Sequence, residues 1–252
     1  MKLNVVPART GLMWVRLGVQ AFFKQPLALA GLFFMYMAAV ITISMIPVLG
    51  VVIGGMLVPA ATLGLMAATA EAIKGRFPMP SVLISAFRAG RQRARAMLVL
   101  GAIYAVGSLA ATRLAMLATD TTADPGNKID TTSLLALALH TPLFLMFWHA
   151  PALVHWHGLP PLKSLFFSAV ACLRNFAAMT VFGLAWVAIF FLVVALVGMV
   201  GGLVGGTPAV QVMLMPTALL LAAMSSSSIY FTFRDSFIPE TPLPGEPDPA
   251  AA

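Results

Sequence analysis

Apolar runs of about 20 residues recur along the chain, parted by short stretches rich in Pro, Gly and basic residues. As a helix, a run of that length crosses roughly 30 Å of hydrocarbon. Six such runs are marked, at about 27–46, 51–73, 96–118, 133–156, 176–200 and 209–230. Pro59, Pro142, Pro151 and Pro216 fall inside them, which membrane helices tolerate where packed neighbours satisfy the freed carbonyls. The predicted fold class is all-α: a polytopic membrane protein of about six transmembrane helices.

Three shorter stretches follow a different period. Between Arg9 and Lys24, the polar residues Arg16, Gln20 and Lys24 recur every four positions against Leu12, Val15, Val19 and Phe22. A second stretch, about 81–90, puts Ser81, Ser85, Arg88 and Gln92 on one side, and a third covers about 162–174. Each has the pattern of an amphipathic helix lying in the membrane interface, and each precedes an apolar run.

The order of these parts repeats. At one constant offset Gly75 recurs as Gly158, Ser81 as Ser164, Ser85 as Ser168, Arg91 as Arg174 and Pro59 as Pro142. A basic residue followed by an amide stands before runs one, three and five, as Lys24-Gln25, Arg91-Gln92 and Arg174-Asn175. The expectation is a single transmembrane domain over 1–237 built from three quasi-repeats, about 9–75, 76–158 and 159–237. Chance identity between apolar segments is the competing explanation. The Pro-rich segment 238–252 is expected to be a disordered cytoplasmic tail.

Charge sets the orientation. Of 15 Lys and Arg residues, all but Arg113 and Lys128 fall at places that share one side if there are six spans. The positive-inside rule then puts both termini in the cytoplasm. Lys24, Arg88, Arg91 and Arg174, with Arg16 and Lys163 beside them, are expected to meet anionic lipid headgroups, each for on the order of 1 kcal/mol. Lys2, Arg9, Arg16 and Lys24 punctuate the N-terminal stretch, which does not read as a cleaved signal peptide. The first span is expected to act as the insertion signal.

Composition narrows the classes. With 60% hydrophobic and 9% charged residues, the chain stands far from soluble averages of about 25% charged. The net charge of +7 matches retention of basic residues on one membrane face, and no soluble region is large enough to read nucleic acid. Cys172 is the lone cysteine, so no internal disulfide forms. The 16 methionines scatter through the spans as packing residues.

Candidate chemistry is sparse. His140, His149, His155 and His157 crowd run four. Histidine binds metals and relays protons, yet His140 and His149 are about half a turn out of phase on a helix. His155 and His157 sit with Trp148 and Trp156 at a boundary where amphipathic rings settle. His149, His155 and His157 are the set open to haem or metal, although no cofactor is expected. Glu71, near the end of run two, has Lys74, Arg93 or Arg95 as expected partners, and Arg113 reaches toward Asp120 or Asp124. Ser225–Ser228 form a hydroxyl cluster late in run six, suited to bonding between helices or to a polar track with Glu71, Arg113, His140 and His149. The glycines at 201–206 read as a turn between runs five and six. There is no Walker loop, nucleophile elbow, HExxH or paired carboxylate, so an enzyme is not expected.

The segments LNVVPARTGLMWVRLG, PAATLGLMAAT, GRFPMPSVLISAFRAG, WHAPALVHWHG, KSLFFSAVACLRNF and SIYFTFRDSF together resemble a family of uncharacterised beta-proteobacterial inner-membrane proteins. The likeness covers nearly the whole chain apart from the 119–132 loop and the tail. More distantly the plan is similar to six-span domains of the YciC type and to the membrane domain of some glycerophosphodiester phosphodiesterases. The close resemblance implies fold and location only, and no phosphodiesterase domain is present to carry that activity.

Three functional expectations stand. The first is a non-enzymatic membrane component that contacts lipid headgroups, in envelope homeostasis or as a scaffold or accessory subunit to a membrane partner or a second copy of itself. The second is a transporter or channel for a small solute, in which Glu71, His140, His149 and the serines share one cavity. The third is a haem- or metal-handling protein.

Overall fold

The computed structural model describes residues 2–47, 49–118 and 131–238. The expected tail beyond 238, and the loop holding Asp120, Asp124, Lys128 and Asp130, lie outside the described residues. Within them the regular structure is helical save for one two-residue strand at each end.

The helices are α1 (Thr10–Lys24), α2 (Pro26–Ser44), α3 (Leu49–Ile73), α4 (Ser85–Arg88), α5 (Arg91–Ala118), α6 (Thr131–Phe147), α7 (Ala150–His157), α8 (Pro161–Arg174) and α9 (Phe176–Ser236). Strand β1 (Lys2–Leu3) pairs antiparallel with β2 (Phe237–Ile238), so both ends of the described chain meet at one end of the molecule. Among the described residues, five helical stretches are long and apolar enough to cross a membrane: α2, α3, α5, 132–157 and α9. Their outward surfaces are apolar. Leu117, Leu192, Leu203, Val204 and Met215 are all well exposed, and in water such surface would drive association.

The 61-residue α9 is not one rod. Gly206 has φ 67 and ψ −155, a conformation open essentially to glycine alone. The backbone turns back there, and Gly201 on the first limb lies against Val210 on the second. The glycines read as a turn in the sequence therefore bend the chain as expected.

Helix α1 lies against both limbs. Gly11 meets the backbone of Ala178 and Phe182, and Gly18 meets Ser228 so closely that a Cβ at either position would overlap its neighbour. Trp14, fully buried between these glycines, packs with Ala178, Phe182 and Phe231. A larger core joins α3, α5, α7, α8 and the end of α9 through Leu63, Met66, Met97, Leu100, Leu153 and Phe233.

Two elements differ from the sequence expectation. The stretch 81–90 is not one helix. It is a 3-10 turn (Pro80–Ile84) followed by the single turn α4, ended by Gly90 at φ 100. A segment this short, opening on proline, cannot nucleate a longer helix alone. Run four is also broken, between α6 and α7 at Trp148–His149.

Candidate functional site

The break in run four begins with Pro151, which has no N–H to give the carbonyl of Phe147 and whose ring crowds that carbonyl. His149 opens the resulting gap, and its backbone N–H can no longer reach the carbonyl of Leu145 in the helical ladder. Ser168 of α8 takes the vacancy: its hydroxyl accepts from His149 N at 2.9 Å and donates to Leu145 O at 2.9 Å. One buried hydroxyl thus closes a helical hydrogen bond across two elements. Kinks of this sort, with an inserted side chain, follow from proline geometry.

The His149 ring is wholly buried beside that stitch. Its Nε2 lies 3.2 Å from Thr232 Oγ1, which also accepts from Trp148 Nε1 at 2.9 Å and donates to Ile229 O at 2.7 Å. Its Nδ1 lies 3.8 Å from Cys172 Sγ. The surroundings are Phe233 and Phe237. This arrangement joins α7, α8 and α9 and leaves the imidazole both nitrogens engaged. Cys172 is buried as well, and burial pushes its thiol up to about 12.

A second polar cluster ties the chain ends. Asn175, buried between α8 and α9, accepts from Val6 N at 2.8 Å through Oδ1 and donates through Nδ2 to Asn4 O at 3.0 Å. Asn4 N donates to Ser236 O at 2.9 Å, and Asn4 Nδ2 to Asp235 O at 2.9 Å. The carboxylate of Asp235 accepts from Trp14 Nε1 at 2.9 Å and from Arg234 Nε at 2.7 Å. The basic-amide step in the sequence pointed at Asn175, but its partners are spread over residues 4, 6 and 236 and could not be read from spacing.

Between these clusters and α3 lies a recess of about 530 Å³, at the end of the molecule that carries both strands. Glu71, Lys74, Ser85, His155, His157 and Arg234 contribute its polar wall. Glu71 pairs with Arg76, whose Nη2 donates to Oε1 at 2.8 Å, and with Lys74 at 3.9 Å. The expected Lys74 partner is present; the main partner is Arg76 instead of Arg93 or Arg95, because the turn after α3 brings Arg76 back over Glu71. Outside the spans, the guanidinium of Arg76 is held above its ordinary value by that carboxylate.

The residues expected to share one polar route do not converge. Glu71 lines the recess with His155 and His157, whereas His140 bonds Ser108 Oγ at 3.2 Å and Ala136 O at 2.7 Å. His149 sits in the closed network above. Arg113 is exposed, and its expected partners lie outside the described residues. Ser225 donates to Ala222 O at 2.9 Å and lines apolar grooves elsewhere, while Ser228 is buried against Gly18. Among the described residues no three His, Cys, Asp or Glu groups gather as a metal site, and His149, His155 and His157 in particular are not one group.

The basic residues expected at headgroups are all exposed: Arg16, Lys24, Arg88, Arg91, Lys163 and Arg174. They alternate with exposed Leu12, Met13 and Phe23 on α1, and with Leu162, Phe166, Phe167 and Leu173 on α8. None of the six pairs with a carboxylate among the described residues.

Along its length the chain is 35% identical over 256 residues to a probable inner membrane protein of Burkholderia thailandensis, with 94% of each chain covered. The chain belongs to that family. Its long apolar helices are of the kind the relative's description calls for. No family model matches, and no solved structure matches. The more distant likeness to YciC-type and phosphodiesterase-linked membrane domains therefore gains no support.

Proposed function

We propose that this is a non-enzymatic, multi-pass inner-membrane protein whose terminus-bearing end holds anionic lipid headgroups at the cytoplasmic face. In this reading the two limbs of α9 are separate spans. Six spans then form three quasi-repeats, each entered through an interfacial segment: α1, the 80–88 turn and α8. The Pro-rich tail projects into the cytoplasm, and a membrane-protein partner or second copy would dock on the apolar flanks.

One observation carries the reading. On α1 and α8 the exposed side chains are large apolar groups and basic groups side by side, which suits neither water nor hydrocarbon. It suits the headgroup boundary, where apolar groups insert and cations face phosphate. The coverage of the Burkholderia relative over nearly the full length supports the inner-membrane placement.

The test replaces Arg16, Arg88 and Arg174 with Gln and measures phospholipid retained through purification in mild detergent. The ratio of anionic to zwitterionic lipid should fall several-fold, as expected from about 1 kcal/mol per cation. An unchanged ratio would remove the headgroup role.

A further inference from the structure

We propose that a second recess, between the start of α5 and the turn joining α7 to α8, is a site for one phosphate group with Arg93 as its counter-ion. This rests on the cytoplasmic-face reading above and deepens it, from basic surfaces that meet headgroups at large to one fixed site. Helix α5 contributes Gln92, Arg93 and Ala96 to the wall, and Val154, Leu159 and Pro161 are among the residues that complete it. Its volume of about 320 Å³ lies at the lower end of small-molecule sites.

Three arginines open α5, and the helix sorts them by face. Arg91 and Arg95 stand one turn apart on the side of the exposed Leu98, Val99 and Val106, the side turned to lipid. Arg93 is about 200° round from Arg91. Four and seven residues after it come Met97 and Leu100, both buried in the core. Arg93 therefore stands on the protein-facing side of α5, exposed just beyond the end of the core, and lines the recess. No Asp or Glu lines that recess. Among the described residues Arg93 pairs with no carboxylate, and neither its side chain nor that of Gln92 has a hydrogen-bond partner. Helix α5 also has no acidic residue in its first turn, so the positive end of its dipole adds to the field of Arg93.

An uncompensated guanidinium with an amide beside it selects an oxyanion. The planar fork of arginine meets two phosphate oxygens at once, and the Gln92 amide has N–H groups for a third. The apolar surroundings suit a phosphate borne on an acyl stem. Leu162 and Phe166 of α8, both well exposed, follow directly on Pro161 in the wall, where an acyl chain can lie along them. Basic pockets between membrane helices at the cytoplasmic side take phospholipid headgroups in this way. Phospholipid headgroups and free phosphate esters share the phosphate chemistry, and the stem separates them.

The experiment uses the full chain, purified in a mild detergent and phosphate-free buffer, with calorimetric titration. The probes are dihexanoyl phosphatidylglycerol, glycerol 3-phosphate, inorganic phosphate, and dihexanoylglycerol as the phosphate-free control. One-to-one saturable binding of the short-chain phospholipid is expected, weakened about tenfold by Arg93→Gln and several-fold by Gln92→Ala. Arg95→Gln removes the same charge from the lipid-facing side of α5 and should bind as wild type does. Arg93, Arg95 and Gln92 are all exposed, so each variant keeps the core intact. Binding of the phospholipid alone, with the Arg93 loss, assigns the site to lipid; equal binding of glycerol 3-phosphate or inorganic phosphate, with the same loss, assigns it to a free phosphate. Equal losses in Arg93→Gln and Arg95→Gln, equal binding of dihexanoylglycerol, or no saturable phosphate probe overturns the proposal. The Arg16, Arg88 and Arg174 triple variant should keep this binding. Lipid retention lost in the triple variant without Arg93-dependent binding overturns the recess alone, and Arg93-dependent binding with retention unchanged overturns the surface reading alone.

Discussion

Replacing Ser168 with Ala removes one oxygen and disturbs two buried backbone groups. The hydroxyl accepts from His149 N and donates to Leu145 O, each at 2.9 Å, and the residue is fully buried. The single Cys172 S–H lies 3.6 Å from Leu145 O and 3.8 Å from His149 Nδ1 and serves one of them at a time, so Leu145 O keeps at most a shared weak donor and the larger loss falls on the His149 N–H. A buried donor left without a partner costs about 1–3 kcal/mol. Polar contacts between membrane helices average nearer 0.6 kcal/mol, because the unfolded chain in the membrane also finds partners. The expectation for Ser168→Ala is therefore a loss of about 1–2 kcal/mol, or roughly 2–8 °C in melting temperature for a chain of this size. Thermal unfolding in mild detergent, followed by tryptophan fluorescence, measures it. Ser164→Ala is the control, since Ser164 Oγ donates only to Pro161 O within the first turn of its own helix. A second arm tests the cause. With Pro151 also changed to Ala, the ladder can re-form from His149 N to Leu145 O, so the double variant should lose less than Ser168→Ala alone. A melting temperature for Ser168→Ala within 1 °C of wild type would refute the stitch.

Gly18→Ala should destabilise by about 1–3 kcal/mol, because the added carbon meets the Cα of Ser228 and not only its side chain; Gly31→Ala, open on all sides, should be neutral in the same melt. Cys172, buried with its thiol at about 12 against an ordinary 9.0, should react with maleimide about a thousandfold slower than a free thiol at pH 7.5, and normally once unfolded. The sign is that of a raised pKa: the folded form favours the neutral thiol, so this contribution to stability holds below pH 9 and falls as pH climbs toward 12, a fall that Cys172→Ala should lack in pH-dependent melts. Asn175→Ala should release the N-terminal segment, seen as faster amide exchange at Asn4 and Val6 with α5 unchanged. Glu71→Gln should shift the melting temperature by less than 2 °C, since its ion pairs with Lys74 and Arg76 are solvent-exposed.

The long helices were legible in the sequence because their signal is local. The apolar runs of α2, α3 and α5 are bounded by Gln25-Pro26, Pro47 and Gly90, and Gly206 marks the reversal in α9. What escaped detection is tertiary. Ser168 stands out in the sequence only as the repeat counterpart of Ser85, and only the packing of α8 against α6 makes its hydroxyl part of another helix. Pro151 was visible, yet a proline inside a membrane helix is compatible with a straight rod, a kink or a break. The pairing of β1 with β2 spans nearly the whole chain and rests on two residues a side, too few for a periodic signal. Gly11 and Gly18 stood in the quoted N-terminal motif without an assigned role; their spacing of two turns matches the two limbs of α9 that they touch. The polar route foreseen for His140, His149 and Glu71 treated depth in the membrane as proximity, and depth alone does not bring side chains on different faces together.

Photo-crosslinking in native membranes tests the headgroup account most directly. A phosphatidylglycerol analogue with a photoreactive group on its headgroup would be incorporated into cells producing the protein, and labelled peptides mapped by mass spectrometry. The account predicts labels concentrated on α1 and α8, around Leu12–Lys24 and Leu162–Arg174, and sharply fewer in the Arg16, Arg88 and Arg174 to Gln variant. Labels concentrated instead near Gly206, or spread equally over both ends of the spans, would contradict it.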